Sequence, residues 1–269
     1  MSASALSNHV RVLLASGHVQ VVIGYAVGSE PSRRRPAFIR SPEQAGVLVF
    51  DEHCRQNLAT YLLKPEVRAL GKAAVVARSA TLRTILLYAV ERQLADGLVL
   101  ALVPTDSGVV ELATFAAIEE RLATQPRGLP ADELAEIRRI AELPLAERWA
   151  FWQAEMSRCI KCYACRSACP LCYCSRCITE MNQPQWIPVE SDPLGNLDWN
   201  IVRAMHLAGR CVDCGSCSDA CPQHIRLDLL NRVLADEART HFGAEPGYSL
   251  RKDYALAAFK PDDKEDFIK

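Results

Sequence analysis

No apolar run in the 269-residue chain approaches the roughly 20 residues that a membrane-spanning helix needs. An excess of either charge is missing too. The 31 Lys+Arg stand against 32 Asp+Glu, for a net charge of −1, which speaks against a nucleic-acid binder working through a basic face. The first ten residues lack the charged-then-apolar layout of a secretory signal, so a cytoplasmic protein is expected, in a compartment that keeps thiols reduced. Gly-x-Gly-x-x-Gly, a Walker loop, Gly-x-Ser-x-Gly and His-Glu-x-x-His are all absent. No dinucleotide fingerprint, phosphate loop, hydrolase elbow or zinc-protease helix is therefore available to explain the chain.

Cysteine is abundant: there are 12, and all but Cys54 lie between Cys159 and Cys221. In a reducing compartment that density favours metal over disulfides. Two runs share the form C-x2-C-x2-C-x3-C-P: Cys159, Cys162, Cys165, Cys169-Pro170 and Cys211, Cys214, Cys217, Cys221-Pro222. Three thiolates at this pitch wrap one face of a cubane, and the fourth cysteine, before proline, is expected to start a helix leading away. In two-cluster ferredoxins the fourth cysteine ligates the other cluster. The assignment is crossed accordingly: Cys159, Cys162, Cys165 and Cys221 for one [4Fe–4S] cluster, Cys211, Cys214, Cys217 and Cys169 for the second. Paired C-x2-C knuckles for zinc are the competing pattern, but a third cysteine at the same pitch followed by x3-C-P is the iron–sulfur form.

Cys172, Cys174, Cys177 and Cys54 remain. They could hold a third [4Fe–4S] cluster or a zinc, with Cys54 brought in from the preceding domain. The alternatives are a partner-supplied ligand, or free thiols on a loop with Cys54 as a small buried hydrophobe. Trp149, Trp152, Tyr163 and Tyr173 lie beside the first run and would exclude water. His206 and His224 flank the second and read as surface or capping residues.

Before the cysteines, residues 1–125 read as an α/β domain with a parallel sheet. Val19–Ile23, Ala73–Ala77 and Leu98–Val103 are apolar, strand-like runs. Helices are expected after Ser41-Pro42-Glu43-Gln44, over Gln56–Leu63 up to Pro65, over Thr81–Leu94 and over Val109–Ala123. Arg33-Arg34-Arg35 reads as a solvated loop, with an anionic contact as the alternative. Gln125-Pro-Arg-Gly-Leu-Pro130 is a linker. Residues 126–158 follow as linker and two helices broken at Pro144. An α-rich, ferredoxin-like two-cluster domain is expected over 159–238, closing with a helix over Ile225–Glu237, and an extended docking tail over 239–269.

Val21-Val-Ile-Gly-Tyr25 with Gly28-Ser29, Cys54-Arg-Gln-Asn57-Leu-Ala-Thr-Tyr61-Leu62 and Gly71-Lys-Ala-Ala-Val-Val76 resemble the beta-subunit family of deazaflavin-coenzyme-reducing hydrogenases and formate dehydrogenases. The form fused to a two-cluster ferredoxin domain is echoed in Cys159–Cys177, in Ile201–Cys211 and in Ala258-Phe-Lys-Pro-Asp-Asp263. The resemblance implies a cytosolic electron-transfer subunit of a formate dehydrogenase, hydrogenase or heterodisulfide-reductase-like complex. Such a subunit relays single electrons between a catalytic subunit and a flavin- or cluster-bearing partner. Several relatives bind a flavin. Where the family usually carries a Gly-Cys-Asp turn and a further cysteine, this chain has Arg78-Ser79-Ala80-Thr81 and Pro104-Thr105-Asp106-Ser107. Losing both thiols argues against FAD here. Two other functions compete: a flavin-containing subunit that itself reduces a deazaflavin or nicotinamide, and an iron–sulfur redox sensor.

Overall fold

The computed structural model describes residues 3–177, 181 and 183–251. Helix α1 (Ala3–Ala15) precedes strand β1 (Val21–Val27), and β2 (Arg34–Ile39) and β3 (Leu48–Val49) follow, with a 3-10 turn at Pro42–Val47 between them. A second 3-10 turn (Leu58–Tyr61) and the short α2 (Pro65–Arg68) lead into β4 (Ala73–Val76). Helix α3 (Ser79–Val90), the hairpin β5 (Val99–Thr105)–β6 (Gly108–Leu112) and α4 (Phe115–Ala123) complete this half. Helices α5 (Ala131–Ala141) and α6 (Leu145–Ser157) then reach the cysteines, around which lie α7 (Ala164–Ala168), α8 (Pro193–His206), α9 (Ser216–Asp219) and α10 (Leu227–Phe242).

The six-stranded sheet runs β2-β1-β4-β5-β6, with β3 also pairing β1. Only β1–β4 and β4–β5 are parallel; β2, β3 and β6 pair antiparallel. The sheet is therefore mixed, not the parallel one expected. Its three central strands are buried along nearly their whole length, so both faces are covered, which is why their residues are apolar without alternation.

Three local expectations are corrected. Val109–Leu112 is strand, not helix: Gly108 takes φ 143°, Thr105 Oγ1 donates to the Gly108 carbonyl at 3.1 Å, and the chain turns back so that Val103 faces Val110. The helix begins only at Phe115, where the Thr114 hydroxyl accepts the Ala117 N–H. Arg34 and Arg35 belong to edge strand β2, and the Arg34 guanidinium is paired with Asp51 at 2.7 Å. No helix starts directly at Pro170 or Pro222. Each proline opens a turn, in which Cys169 O accepts from Cys172 N (3.2 Å) and Cys221 O from His224 N (3.1 Å).

One large core runs from the sheet into the cysteine region, where Leu171, Leu207 and Val212 are buried with it, while a smaller core surrounds Met156, Leu197 and Ile225. Residues beyond α10 fold back onto the α/β half: Arg83 donates to the Pro246 carbonyl and stacks on Tyr248 at 4.4 Å. The closing Ala258–Asp263 motif lies outside the described residues. Among the described residues no helix is long and apolar enough to cross a membrane.

Candidate metal centre

The two cysteine runs fold alike. Lys161 (φ 50°) and Tyr163 (φ 58°) are left-handed in the first, Asp213 (φ 55°) and Gly215 (φ 70°) at the matching positions of the second. Three of these four are not glycine, and each costs about 1–3 kcal/mol unless the surroundings hold it. The Lys161 N–H points at Cys159 Sγ and the Asp213 N–H at Cys211 Sγ, both at 3.4 Å. Left-handed residues at alternate positions are the kind of turn whose N–H groups can face an anion. Each loop runs into a one-turn helix, α7 or α9, carrying its third cysteine, and the two short helices pack together.

Around the first loop, Cys159, Cys162, Cys165 and Cys221 line a single cavity with Trp199 and Ile225. The fourth cysteine thus comes from the other run. Asn196 Nδ2 and Ser191 Oγ donate to the Cys159 carbonyl at 2.6 and 2.5 Å, and Lys161 Nζ donates to the carbonyls of Pro188 and Glu190. Trp199 is buried and meets Tyr163 edge-on at 5.2 Å. Cys162 is exposed, so this site has an open side. Trp149, expected as a water shield, is itself exposed.

The second set is deeper. Cys211, Cys214 and Cys169 pack against the large core. Burial, and then the other thiols of the set, push the Cys217 thiol up to about 12 and raise Cys214 as well. Such thiols keep their protons until a metal displaces them. The α/β half holds the loop in place. Ser216 Oγ accepts the buried Asn57 N–H at 2.8 Å, and Arg83 donates to the Val212 carbonyl at 3.0 Å. Tyr88 OH donates to the Pro170 carbonyl at 2.6 Å, and Asn231 Nδ2 faces Cys217 Sγ at 3.7 Å.

Between the sets lies a residue that spacing could not single out. Arg203, on α8, is buried and donates to the Cys165 carbonyl at 3.3 Å. Burial disfavours its charge, yet a guanidinium stays protonated, and Cys217, Cys172, Cys169 and Cys165 are the groups whose thiolates would favour that charge. The donor sets therefore fit cubanes: four sulfurs each, loops with left-handed turns and a cation between. Among the described residues no three His, Cys, Asp or Glu side chains are gathered as a single-ion site; a cubane would be held from its corners by more widely spaced thiolates.

The remaining cysteines have separate neighbours. Cys172 hydrogen-bonds Cys169, and that contact lowers the Cys172 thiol. Cys174 is exposed and Cys177 half-buried. The fully buried Cys54 accepts the Asp51 N–H at 3.4 Å and faces the Val49 carbonyl at 3.8 Å. Burial pushes its thiol up to about 11, which leaves roughly one thiolate per thousand at about pH 8. Iodoacetamide at that pH should modify Cys174 and spare Cys54, as read by mass spectrometry of the native protein. Protection of both would point to metal at the four-cysteine set, and modification of Cys54 would mean that its loop opens. His206 and His224 are both exposed.

A cavity of about 860 Å³ is lined by residues of both halves. Arg33, Arg55 and Arg78 line it from the sheet side at the carboxyl end of β4, and Cys214, His224 and Arg226 line it from the other. The Arg78–Thr81 turn, where the thiol expected from the family is missing, forms part of its wall.

No protein-family model matches the chain. Over 108 residues (39% of the chain) it is 36% identical to the F420-dependent formate dehydrogenase subunit beta of Methanocaldococcus jannaschii, covering 27% of that protein. Over 110 residues (41% of the chain) it is 33% identical to the F420-dependent formate dehydrogenase 1 subunit beta of Methanococcus maripaludis, covering 28%. Over about two fifths of its length the chain is similar to proteins named as formate dehydrogenase beta subunits. The match spans little more than a quarter of either beta subunit's length, and those subunits are named as parts of an assembly, not as free-standing enzymes.

Proposed function

We propose that the chain is an iron–sulfur electron-transfer subunit of a multi-subunit oxidoreductase of the formate dehydrogenase, hydrogenase or heterodisulfide-reductase-like kind. The observation that carries this reading is the pair of matched loops packed through α7 and α9, with Cys221 lining the cavity of the first loop and Cys169 acting on Cys214 of the second. Cys159, Cys162, Cys165 and Cys221 would hold one [4Fe–4S] cluster and Cys211, Cys214, Cys217 and Cys169 the other. Bound clusters supply one-electron exchange. The α/β core covers much of the second set, apart from the cavity beside Cys214, and the Cys162 side of the first is left open to a partner. Relatives named as beta subunits support the multi-subunit setting.

A second reading rests on the cavity of about 860 Å³ beside Cys214. It falls within the usual size of cofactor sites, it is lined with arginines, and α3 starts at its edge, where N–H groups favour phosphate. A flavin there would make this chain the site of deazaflavin or nicotinamide reduction.

Anaerobic purification with iron, sulfide and flavin counts decides between them. About eight irons per chain and no flavin is the expected result. About twelve would add a third cluster on Cys172, Cys174 and Cys177 with Cys54. A yellow flavin released on denaturation would transfer the assignment to the second reading, and zinc in place of iron would sink both.

A further inference from the structure

Arg203 is an arginine without an acid. It is 5% exposed, its Nε is buried with no hydrogen-bond partner, and no carboxylate pairs with it among the described residues. Its one hydrogen bond of ordinary length runs to the carbonyl of Cys165, in the first loop. The side chains near enough to act on its charge once deprotonated are Cys165 of the first set, Cys169 and Cys217 of the second, and Cys172, which also hydrogen-bonds it. A guanidinium cannot shed its proton in a protein, and an unpaired buried charge costs several kcal/mol. The other buried arginine, Arg232, shows the ordinary solution, with Asp213, Asp228 and Glu133 all within 2.9 Å. Nothing of that kind surrounds Arg203. Negative charge must reach it from the sulfurs of both sets.

We infer that Arg203 is a fixed counter-cation shared by both clusters, holding the reduction potentials of both up. The inference rests on the cluster reading above. A cubane with four thiolates is an anion, and each reduction adds a further negative charge. A buried positive charge at short range therefore favours the reduced form of whichever cluster it faces. Facing both, it favours reduction of both. Arg203 touches no reacting atom and is a positioning charge, so its signature is a potential, not a rate.

The test is an EPR-monitored redox titration of the full-length, anaerobically purified protein as wild type, Arg203→Gln and Arg203→Lys, with Arg40→Gln as an exposed control. With about eight irons retained, Arg203→Gln should move both midpoint potentials downward, while Arg203→Lys, which keeps the charge, and Arg40→Gln stay close to wild type. Unchanged potentials in an iron-replete Arg203→Gln protein would overturn the inference, as would a shift confined to one cluster. If Arg203→Gln loses iron, retention in Arg203→Lys supports the need for charge; equal loss in both means that shape alone matters, and overturns it. Failure of the cluster reading is separate, because it would show as missing iron in the wild-type protein before any substitution.

Discussion

Replacing Cys159 and Cys221 together by alanine should leave about four irons per chain, whereas replacing Cys159 and Cys169 together should leave almost none. The two double variants remove the same number of thiols and share one of them. They differ only in whether the second cysteine belongs to the same cluster as the first. The cavity at the first loop includes Cys221 and not Cys169, while Cys169 is among the thiols that raise Cys214 and Cys217. In the proposed arrangement Cys159 and Cys221 are one set, and Cys159 and Cys169 straddle two. Were each cluster held by its own run, the outcomes would be reversed, so a plain iron assay reads the topology. The surviving cluster of the first double variant should also be the better protected one, since Cys169, Cys211 and Cys214 pack on the large core. The first set, by contrast, keeps exposed Cys162 at its edge.

The crossed assignment is read from the spacing of two identical runs of C-x2-C-x2-C-x3-C-P through the two-cluster ferredoxin pattern, and the cavity that places Cys221 with Cys159, Cys162 and Cys165 supports it. The buried strands were legible for a similar reason, since Ala73–Val76 and Val99–Val103 are apolar throughout and a doubly covered strand has no other pattern. Edge strand β2 was not. Its Arg34-Arg35-Pro36 looks like loop, and what makes it a strand is the Asp51 carboxylate 17 residues on that neutralises Arg34 together with the pairing of Tyr25 with Pro36 at an edge. Strand β6 was misread because Val109 and Val110 fit either period, and only the turn at Gly108 decides. Helix α8 left a signal that could have been used, Asp192 capping Gly195 N–H with Pro193 at the first position. It matters because α8 brings Trp199 to the first set and Arg203 between both. Neither residue lies in a cysteine run, and the neighbours that give Arg203 its meaning span Cys165 to Cys217. No local pattern reports that distance.

The largest loss of stability is expected at Arg232→Met, of about 3–5 kcal/mol, as when one partner is removed from a buried ion pair. Arg232 is 8% exposed at its side chain and holds Asp213 at 2.5 Å, Asp228 at 2.7 Å and Glu133 at 2.9 Å. Methionine keeps much of the volume and none of the charge, so the cost falls on the carboxylates left behind. Asp228 retains Arg226 and Ser218, and Glu133 is partly open to water. Asp213 has less relief, keeping only the nearby charge of Arg83. It is half-buried in the Cys211–Cys214 turn with a left-handed backbone, so an unpaired carboxylate there strains the loop that positions the second set. The exposed pair Arg139–Glu136 is the matched control, since an open (i, i+3) pair is worth less than about 1 kcal/mol. The urea midpoint of the far-ultraviolet circular dichroism should fall sharply for Arg232→Met and barely move for Arg139→Met. Iron counts taken along the same titration should show half the iron lost first, from the second set. Equal shifts in the two variants would mean that the Arg232 network is solvated and contributes no more than the surface pair. Loss of both clusters together would mean that the loop carrying Asp213 is not where the strain is felt.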